Sequence, residues 1–494
     1  GVLWGRPGGA ERVGDHLRLR AGDGTVLTVH SSREPDAAVL FPVVGAHLAV
    51  PLDGPVAIST GSPRSCAEVR TAIAAARDAL DARLARYGAS AELAGAMASA
   101  LGWCTIFDPA EGCPYTVVSR TWACRNGGGQ VFCWDAFFAA MMAGALGDAE
   151  LALGNWDAAA APLVWNDCVP GVRNAMGSGT WGQSQPPVAS MSLRYLADCL
   201  GDAVVTPQRV DALLRWNRWW PAHRASAGML CWGSQVATNR NDSIYETTVV
   251  AHLRGARFES GLDNYPLYDD AGWDGERGLM RQADVGLIAL AIRDCLELAE
   301  LCRRCGRSAE VTELQERARD YRQALERCWD EADGIYRNID LDAEAFVSRR
   351  GVTLFHPLLA GDTDPARLRR MLDEHLLDET AFWGAHVVPA VARDDPAFPE
   401  QDYWRGRIWA PLNLLLYIGL RQAGADAVAS ELAERGAALF LRNWWAHGYV
   451  AENYNAIDGS AGERANSDPF NPWGALLALV ALMDRGAVPP LRPL

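Results

Sequence analysis

The sequence predicts a mainly α fold, a closed toroid of paired helices, with a small β-rich portion at its N terminus. Three observations carry this expectation. From Cys133 onward, apolar residues recur at helical spacing in runs that come two by two. The connections alternate between short turns and long loops rich in Trp, Gly, Asn and Asp. Ala-Leu-rich runs such as Trp473 to Leu482 are apolar nearly all round, as a helix enclosed by other helices must be.

In chain order, Leu17 to Arg20, a Gly22-Asp23-Gly24 turn and Thr25 to His30 read as a hairpin, followed by short apolar runs at Ala38 to Val44 and Ala46 to Pro51. Helical spacing begins with Cys66 to Tyr87 and Ala91 to Leu101. The pairs are then Trp134 to Leu146 with Ala149 to Ala161, Pro187 to Leu200 with Pro207 to Trp220, and Arg281 to Cys305 with Ala309 to Cys328. Val352 to Leu359 with Pro365 to Glu374 and Arg407 to Ala423 with Ala425 to Trp445 follow, and Pro472 to Met483 stands alone at the end. The spacing is irregular and no residue-level repeat is visible, which argues against a solenoid. The expected division is a β-rich region over 1–62, a helical linker over 63–110 and a helical domain over 111–494.

Composition narrows the partners. With 49% hydrophobic and 22% charged residues the chain is ordinary globular protein, and 494 residues bury a substantial core. A net charge of −15 opposes binding to nucleic acid or an anionic membrane, where nothing would neutralise the phosphates. A small neutral carbohydrate suits the composition better: nineteen tryptophans cluster with Gly, Asn and Asp, pairing flat apolar faces with hydrogen-bonding groups. The twelve cysteines stand mostly singly within helical runs, so reduced buried thiols are expected, and Cys302-Arg303-Arg304-Cys305 lacks partners for redox or metal work. No signal segment and no apolar run of transmembrane length occur, so a soluble, cytoplasmic chain is expected. Oligomeric state is not legible.

Five stretches carry chemistry. Phe258-Glu259-Ser260-Gly261-Leu262-Asp263-Asn264-Tyr265-Pro266 sets a carboxylate in a Gly- and Pro-punctuated turn among Glu259, Asn264, Tyr265 and Tyr268, the groups of a sugar cleft. Glu452-Asn453-Tyr454-Asn455 has the same character, and two such isolated carboxylates suggest general acid and general base work. Asp135, in Phe132-Cys133-Trp134-Asp135, stands at a helix start, where capping is as good a reading as sugar binding. Gln183-Ser184-Gln185-Pro186-Pro187 runs a polar loop into a helix, where Gln183 and Gln185 are as readily solvated. Gln401-Asp402-Tyr403-Trp404-Arg405-Gly406-Arg407-Ile408-Trp409 sets two arginines among aromatics, for sugar hydroxyls or for salt bridges within the fold. The Asp269, Asp270 and Asp274 spacing is interrupted by Gly272, which leaves solvated or calcium-structuring acids. No cofactor is expected apart from such a structural calcium, and no metal-ligand set is visible among the nine histidines.

Taken together, W-D-x-F-F, S-Q-P-P, E-S-G-x-D-N, Y-W-R-G-R-I-W-x-P-x-N and E-N-Y-N with a W-G-x-L-L-A-L helix behind it resemble glycoside hydrolase family 63, from about Tyr115 to the C terminus. That family is similar in plan to the trehalases of family 37. The resemblance implies an (α/α)6 barrel and an inverting mechanism with Asp263 as general acid and Glu452 as general base. It further implies a sugar site lined by Trp134, Asp135, Asn174, Gln185, Gly261, Asn264, Tyr265, Gln401, Tyr403, Trp404, Arg405, Arg407, Trp409, Tyr454 and Trp473. Relatives often carry Arg before S-Q-P-P where this chain has Gln183, and the N-terminal β portion is too short for their full β-sandwich.

The expected function is therefore an inverting α-glycosidase on a small α-glucoside or α-linked oligosaccharide. The alternative is a hydrolase of mannosylglycerate or glucosylglycerate, with Arg173 or Arg240 as the cation for an acidic aglycone. A catalytically silent sugar-binding relative is the rival from another class, and retention of both carboxylates counts against it.

Overall fold

The computed structural model describes residues 9–20, 24–36, 45–108, 112–121, 129–160, 167–173, 179–235, 252–462 and 466–494. Two concentric layers of helix make up most of it. The inner layer runs Cys133–Ala145, Ala189–Leu200, Val285–Arg304, Val352–Ala360, Ala410–Gln422 and Leu476–Asp484. Each of these packs on the next and the last packs on the first, which closes the ring. The chain is an (α/α)6 barrel with a small N-terminal sheet.

Local chemistry explains the elements. Cys133–Ala145 is buried along its whole length, and its small residues let neighbours close in. At Gly144 an added Cβ would lie 2.5 Å from Leu196 Cδ2, on the adjacent inner helix. Asp284 caps Val285–Arg304 by accepting the Leu287 N–H at 2.7 Å, and Thr206 with Pro207 starts Pro207–Arg224. Val352–Ala360 winds as a 3-10 helix with Pro357 inside it, which removes an α-helical donor.

Outside the ring lie Ala149–Ala160, Pro207–Arg224, Ser308–Glu326, Pro365–Arg370 with its π-helical continuation Met371–Leu376, and Asp426–His447. The sixth outer helix is Ala91–Cys104, expected in a linker. It packs on Leu476–Asp484 and on Cys133–Ala145, burying Leu93, Met97 and Leu101 against the apolar back of the inner helix Leu476–Asp484.

The N-terminal sheet is antiparallel in the order Gly9–Val13, His16–Arg20, Val26–Ser31, Ile58–Thr60. The predicted hairpin forms with Leu17 opposite Val29 and Leu19 opposite Leu27. Residues 38–44 lie outside the described residues, and the run 46–51 contributes one bridge, Asp36 to Ala49. The described cysteines, from Cys66 to Cys328, are free thiols. No helix among the described residues is long and apolar enough to cross a membrane.

Candidate active site

The long loops precede the inner helices, so the stretches they carry meet at the N-terminal ends of the ring. There they enclose a cavity of about 420 Å³ whose wall includes Trp134, Asp135, Gln185, Gly261, Asp263, Tyr403, Trp404, Glu452 and Trp473. Two acids separated by almost two hundred residues of chain thus face one space.

Three indoles form its walls. Trp473 stands edge-on to Trp134 at 5.1 Å between centroids, and Trp404 lies at 6.5 Å from Trp134. Trp409 stacks behind Trp404 at 3.6 Å and 10°, fixing its plane without reaching the cavity. The indole nitrogens of Trp134, Trp404 and Trp473 are buried with no hydrogen-bond partner among the described residues, as are both carboxylate oxygens of Asp135. Donors and acceptors left over on a cavity wall are what a polyhydroxylated ligand satisfies.

Glu452 is buried and doubly held. Its Oε1 accepts the Tyr403 hydroxyl at 2.9 Å and its Oε2 accepts the Asp468 N–H at 3.2 Å. Burial pushes its carboxyl up to about 7, with the Asp468 and Asp263 charges adding to the rise and the two donors opposing it. Asp263, partly covered and facing the cavity, is also pushed up to about 7 by desolvation of its carboxyl, with its backbone hydrogen bond and then Arg254 pulling the other way. Asp135 is raised well above the carboxylate range by burial and then by Glu452 and Asp263. Three carboxyls around one cavity cannot all ionise near neutrality, so the site holds a proton.

Position follows from local backbone. Gly261 ends the helix Leu253–Ser260 in a left-handed turn with φ 72°, and an added Cβ would lie 2.5 Å from the Trp134 ring. Asp263 leaves this turn two residues on. Gln401 and Tyr403 take left-handed conformations with φ 48° and 57°, unusual for side chains of their size, which twists the loop so that Tyr403 and Trp404 face the cavity.

Several expected sugar contacts serve the fold instead. Arg405 spans Glu400 at 2.5 Å and Asp269 at 2.9 Å. Arg407 is fully buried and donates to the Asn453 side chain. Gln401 donates to Phe398 O and Gly406 O and accepts Ala456 N–H, tying its own loop. Tyr265 donates to Ala390 O, and the Tyr454 hydroxyl reaches Gly474 O at 3.5 Å. None of these five side chains lines the cavity, because each is the internal tie of a loop that has no regular secondary structure to hold it. Asn264 lines an outer pocket and is engaged with Asp402 and Trp404. Asn174 and Arg240 lie outside the described residues.

Glu259 and Tyr268 are likewise not cleft groups. Glu259 is completely buried, paired with Arg224 and accepting the Ser184 and Gly233 N–H groups, while Tyr268 donates to Asp284 at 3.0 Å. Asp269 and Asp274 are occupied too, the first by Arg405 and the second by the N–H groups of Glu276 and Arg277. Among the described residues, no three His, Cys, Asp or Glu side chains gather as a metal-holding group.

The sequence reading assigned no role to Asp468, whose carboxylate accepts from Ser119 and Thr121 while its N–H holds Glu452; Gln183, read as readily solvated, is instead buried on the cavity wall and donates to Ser234 at 2.6 Å. Asp468 had a signal: it opens the D-P-F-N-P-W-G stretch that leads to Trp473. It also missed Arg254, on the helix before Asp263, which lines an outer pocket continuous with Asp263 and Tyr403.

A ring of six inner helices with paired carboxyls between indole walls at one end defines an α/α-barrel glycoside hydrolase. Residues 130–471 match the family model described as the mannosylglycerate hydrolase MGH1-like glycoside hydrolase domain. The chain belongs to that family, within glycoside hydrolase family 63. It is 27% identical over 339 residues, covering 61% of this chain and 77% of the relative, to mannosylglycerate hydrolase of Thermus thermophilus. Among solved structures it resembles a GH63 mannosylglycerate hydrolase from Thermus thermophilus in complex with glucose, with a TM-score of 0.60 at 21% identity over 78% of this chain and 99% of that one. Neutral trehalase from Saccharomyces cerevisiae shares the fold at a TM-score of 0.59 and 15% identity, over 78% of this chain and 79% of that one.

Proposed function

We propose that the chain is an inverting α-glycosidase that hydrolyses a small α-glycoside of a short hydroxy acid, of the mannosylglycerate or glucosylglycerate type. The observation that carries the reaction is the placement of Asp263 and Glu452 on one enclosed cavity, each with its carboxyl at about 7. Glu452 takes the base role because two donors on its oxygens favour the ionised form. Asp263 takes the acid role: its proton passes to the glycosidic oxygen as Glu452 draws one from the attacking water on the opposite face of the sugar. Trp134, Trp404 and Trp473 hold the ring faces, and the Asp135 carboxyl, whose oxygens have no hydrogen-bond partner among the described residues, exchanges hydrogen bonds with sugar hydroxyls.

Relatives named mannosylglycerate hydrolases support an acidic aglycone. So does Arg254, exposed on the leaving-group side next to Asp263, where it lies 5.4 Å over the Phe258 ring and makes no ion pair among the described residues. A second reading, a neutral α-glucoside, is favoured by the cavity itself, whose described wall contains no arginine or lysine.

Monosaccharide release decides between them. The panel is mannosylglycerate, glucosylglycerate, trehalose and the α-linked glucose and mannose disaccharides, with wild type and Arg254→Gln. Cleavage of a glycerate glycoside, with KM rising about 10- to 100-fold in the variant as a charged hydrogen bond is lost, supports the first reading. Turnover confined to neutral disaccharides, unchanged in the variant, supports the second.

A further inference from the structure

We propose that Asn264 is a positioning residue, whose side chain ties the turn of the acid to the turn of Tyr403 and so keeps the Tyr403 hydroxyl on Glu452. The inference rests on Asp263 and Glu452 being the acid and base. Asn264 follows Asp263 directly. Its Nδ2 donates to Asp402 O at 3.1 Å and lies 3.3 Å from Asp402 Oδ2, and its Oδ1 accepts the Trp404 N–H at 2.9 Å. The amide orientation is fixed by these partners, since a peptide N–H only donates and a carbonyl only accepts.

One side chain therefore grips the residues on either side of Tyr403. That grip matters because Tyr403 stands at φ 57°, a conformation that costs a non-glycine residue roughly 1–3 kcal/mol and persists only under external restraint. Other ties support the same joint: Arg405 reaches Asn264 O at 3.5 Å and Asp269 at 2.9 Å, so the backbones of both turns are drawn together on the outer side. On the inner side, the Tyr403 hydroxyl is 2.9 Å from Glu452 Oε1. The charged and titratable groups that act on Glu452 are Tyr403 and the carboxyls of Asp468, Asp263 and Asp135. Beyond burial, the charges of Asp468 and Asp263 raise it, while the Asp468 N–H and the Tyr403 hydroxyl lower it, so release of Tyr403 raises the pKa of the base.

The test pairs Asn264→Ala with Tyr403→Phe and the double variant. In the crystal structure of Asn264→Ala, Tyr403 Oη is expected beyond hydrogen-bond reach of Glu452, with the barrel unchanged. In kinetics on whichever glycoside wild type cleaves, kcat is expected to fall about 10- to 100-fold with KM nearly constant. The acidic limb of the pH profile is expected to move to higher pH, by the same amount as in Tyr403→Phe. The double variant is expected to be no worse than the poorer single variant, as two residues acting through one hydrogen bond require. Retention of the Tyr403 to Glu452 contact in Asn264→Ala, an unmoved acidic limb, or additive losses would overturn the proposal. If Asn264→Ala does not fold, Asn264→Asp keeps the acceptor for Trp404 N–H and removes the donor, and the same readouts apply. Should wild type cleave nothing in the panel, the functional reading fails while the crystallographic comparison still decides the role of Asn264.

Discussion

Arg224 and Glu259 meet in a two-pronged ion pair, 2.6 Å from Nε and 2.7 Å from the terminal nitrogen, with both side chains fully enclosed. Glu259 also collects the N–H groups of Ser184 and Gly233, and Arg224 donates to Gly182 O at 3.1 Å. The pair therefore joins the ends of the helices Pro207–Arg224 and Leu253–Ser260 to two loops beside the cavity. Removing one partner strands the other charge in the interior. Glu259→Gln or Arg224→Met is expected to lower unfolding free energy by about 3–5 kcal/mol, read from urea titrations followed by circular dichroism. A change below ~1 kcal/mol would mean that the pair is solvated and positions nothing.

Asp263→Asn and Glu452→Gln are expected to reduce kcat by at least about 10²- to 10⁴-fold, the range of a lost acid or base, with melting temperatures at or above wild type. Unchanged turnover in either variant would remove it from the reaction.

Activity should describe a narrow bell centred near neutral pH. Glu452 must be ionised, so the rate falls as pH drops through its pKa of about 7. Asp263 must be protonated, so the rate falls again as pH climbs through its own value of about 7. A plateau extending from pH 5 to 9 in kcat/KM would contradict this assignment.

Asp135 makes a prediction about stability rather than rate. Its folded pKa is raised, so between its unfolded value and that raised value the native state binds more protons than the unfolded chain. Stability from this group is present at acidic pH and is lost as pH rises. Asp135→Asn is therefore expected to gain stability relative to wild type on going from pH 5 to pH 8, by roughly 1 kcal/mol or more. Equal denaturation midpoints for the two proteins at both pH values would refute it.

Gly261→Ala is expected to cost about 1–3 kcal/mol and to impair turnover, because the added methyl meets the Trp134 ring as well as a left-handed backbone. Near wild-type kinetics with a displaced Trp134 would show that the indole face is dispensable.

The helices were legible because their periodicity is local: the predicted runs 149–161 and 472–483 match Ala149–Ala160 and the pair Pro472–Ala475, Leu476–Asp484 within a residue or two. The stretches around Asp263 and Glu452 were legible because polar, aromatic and glycine residues crowd there without helical spacing. Side-chain direction was not. Arg405 and Arg407 sit in the same motif as Tyr403 and Trp404, yet left-handed turns at Gln401 and Tyr403 send the arginines outward or inward to the fold and the aromatics to the cavity. Nor could spacing reveal that Arg224 belongs to Glu259, or that Asn264 belongs to Asp402 and Trp404, since those bonds exist only once the ring has closed.

The seam between Ala91–Cys104 and Leu476–Asp484 sets a timetable for biosynthesis. Ribosomes add about 5–20 residues per second, so the early helix waits from roughly twenty seconds to over a minute for its partner. Until then the apolar face that it turns to Leu476–Asp484 stands uncovered, the kind of transiently exposed surface for which chaperones exist. Because Trp473 arrives with the late partner, the cavity wall stays incomplete until synthesis has passed it.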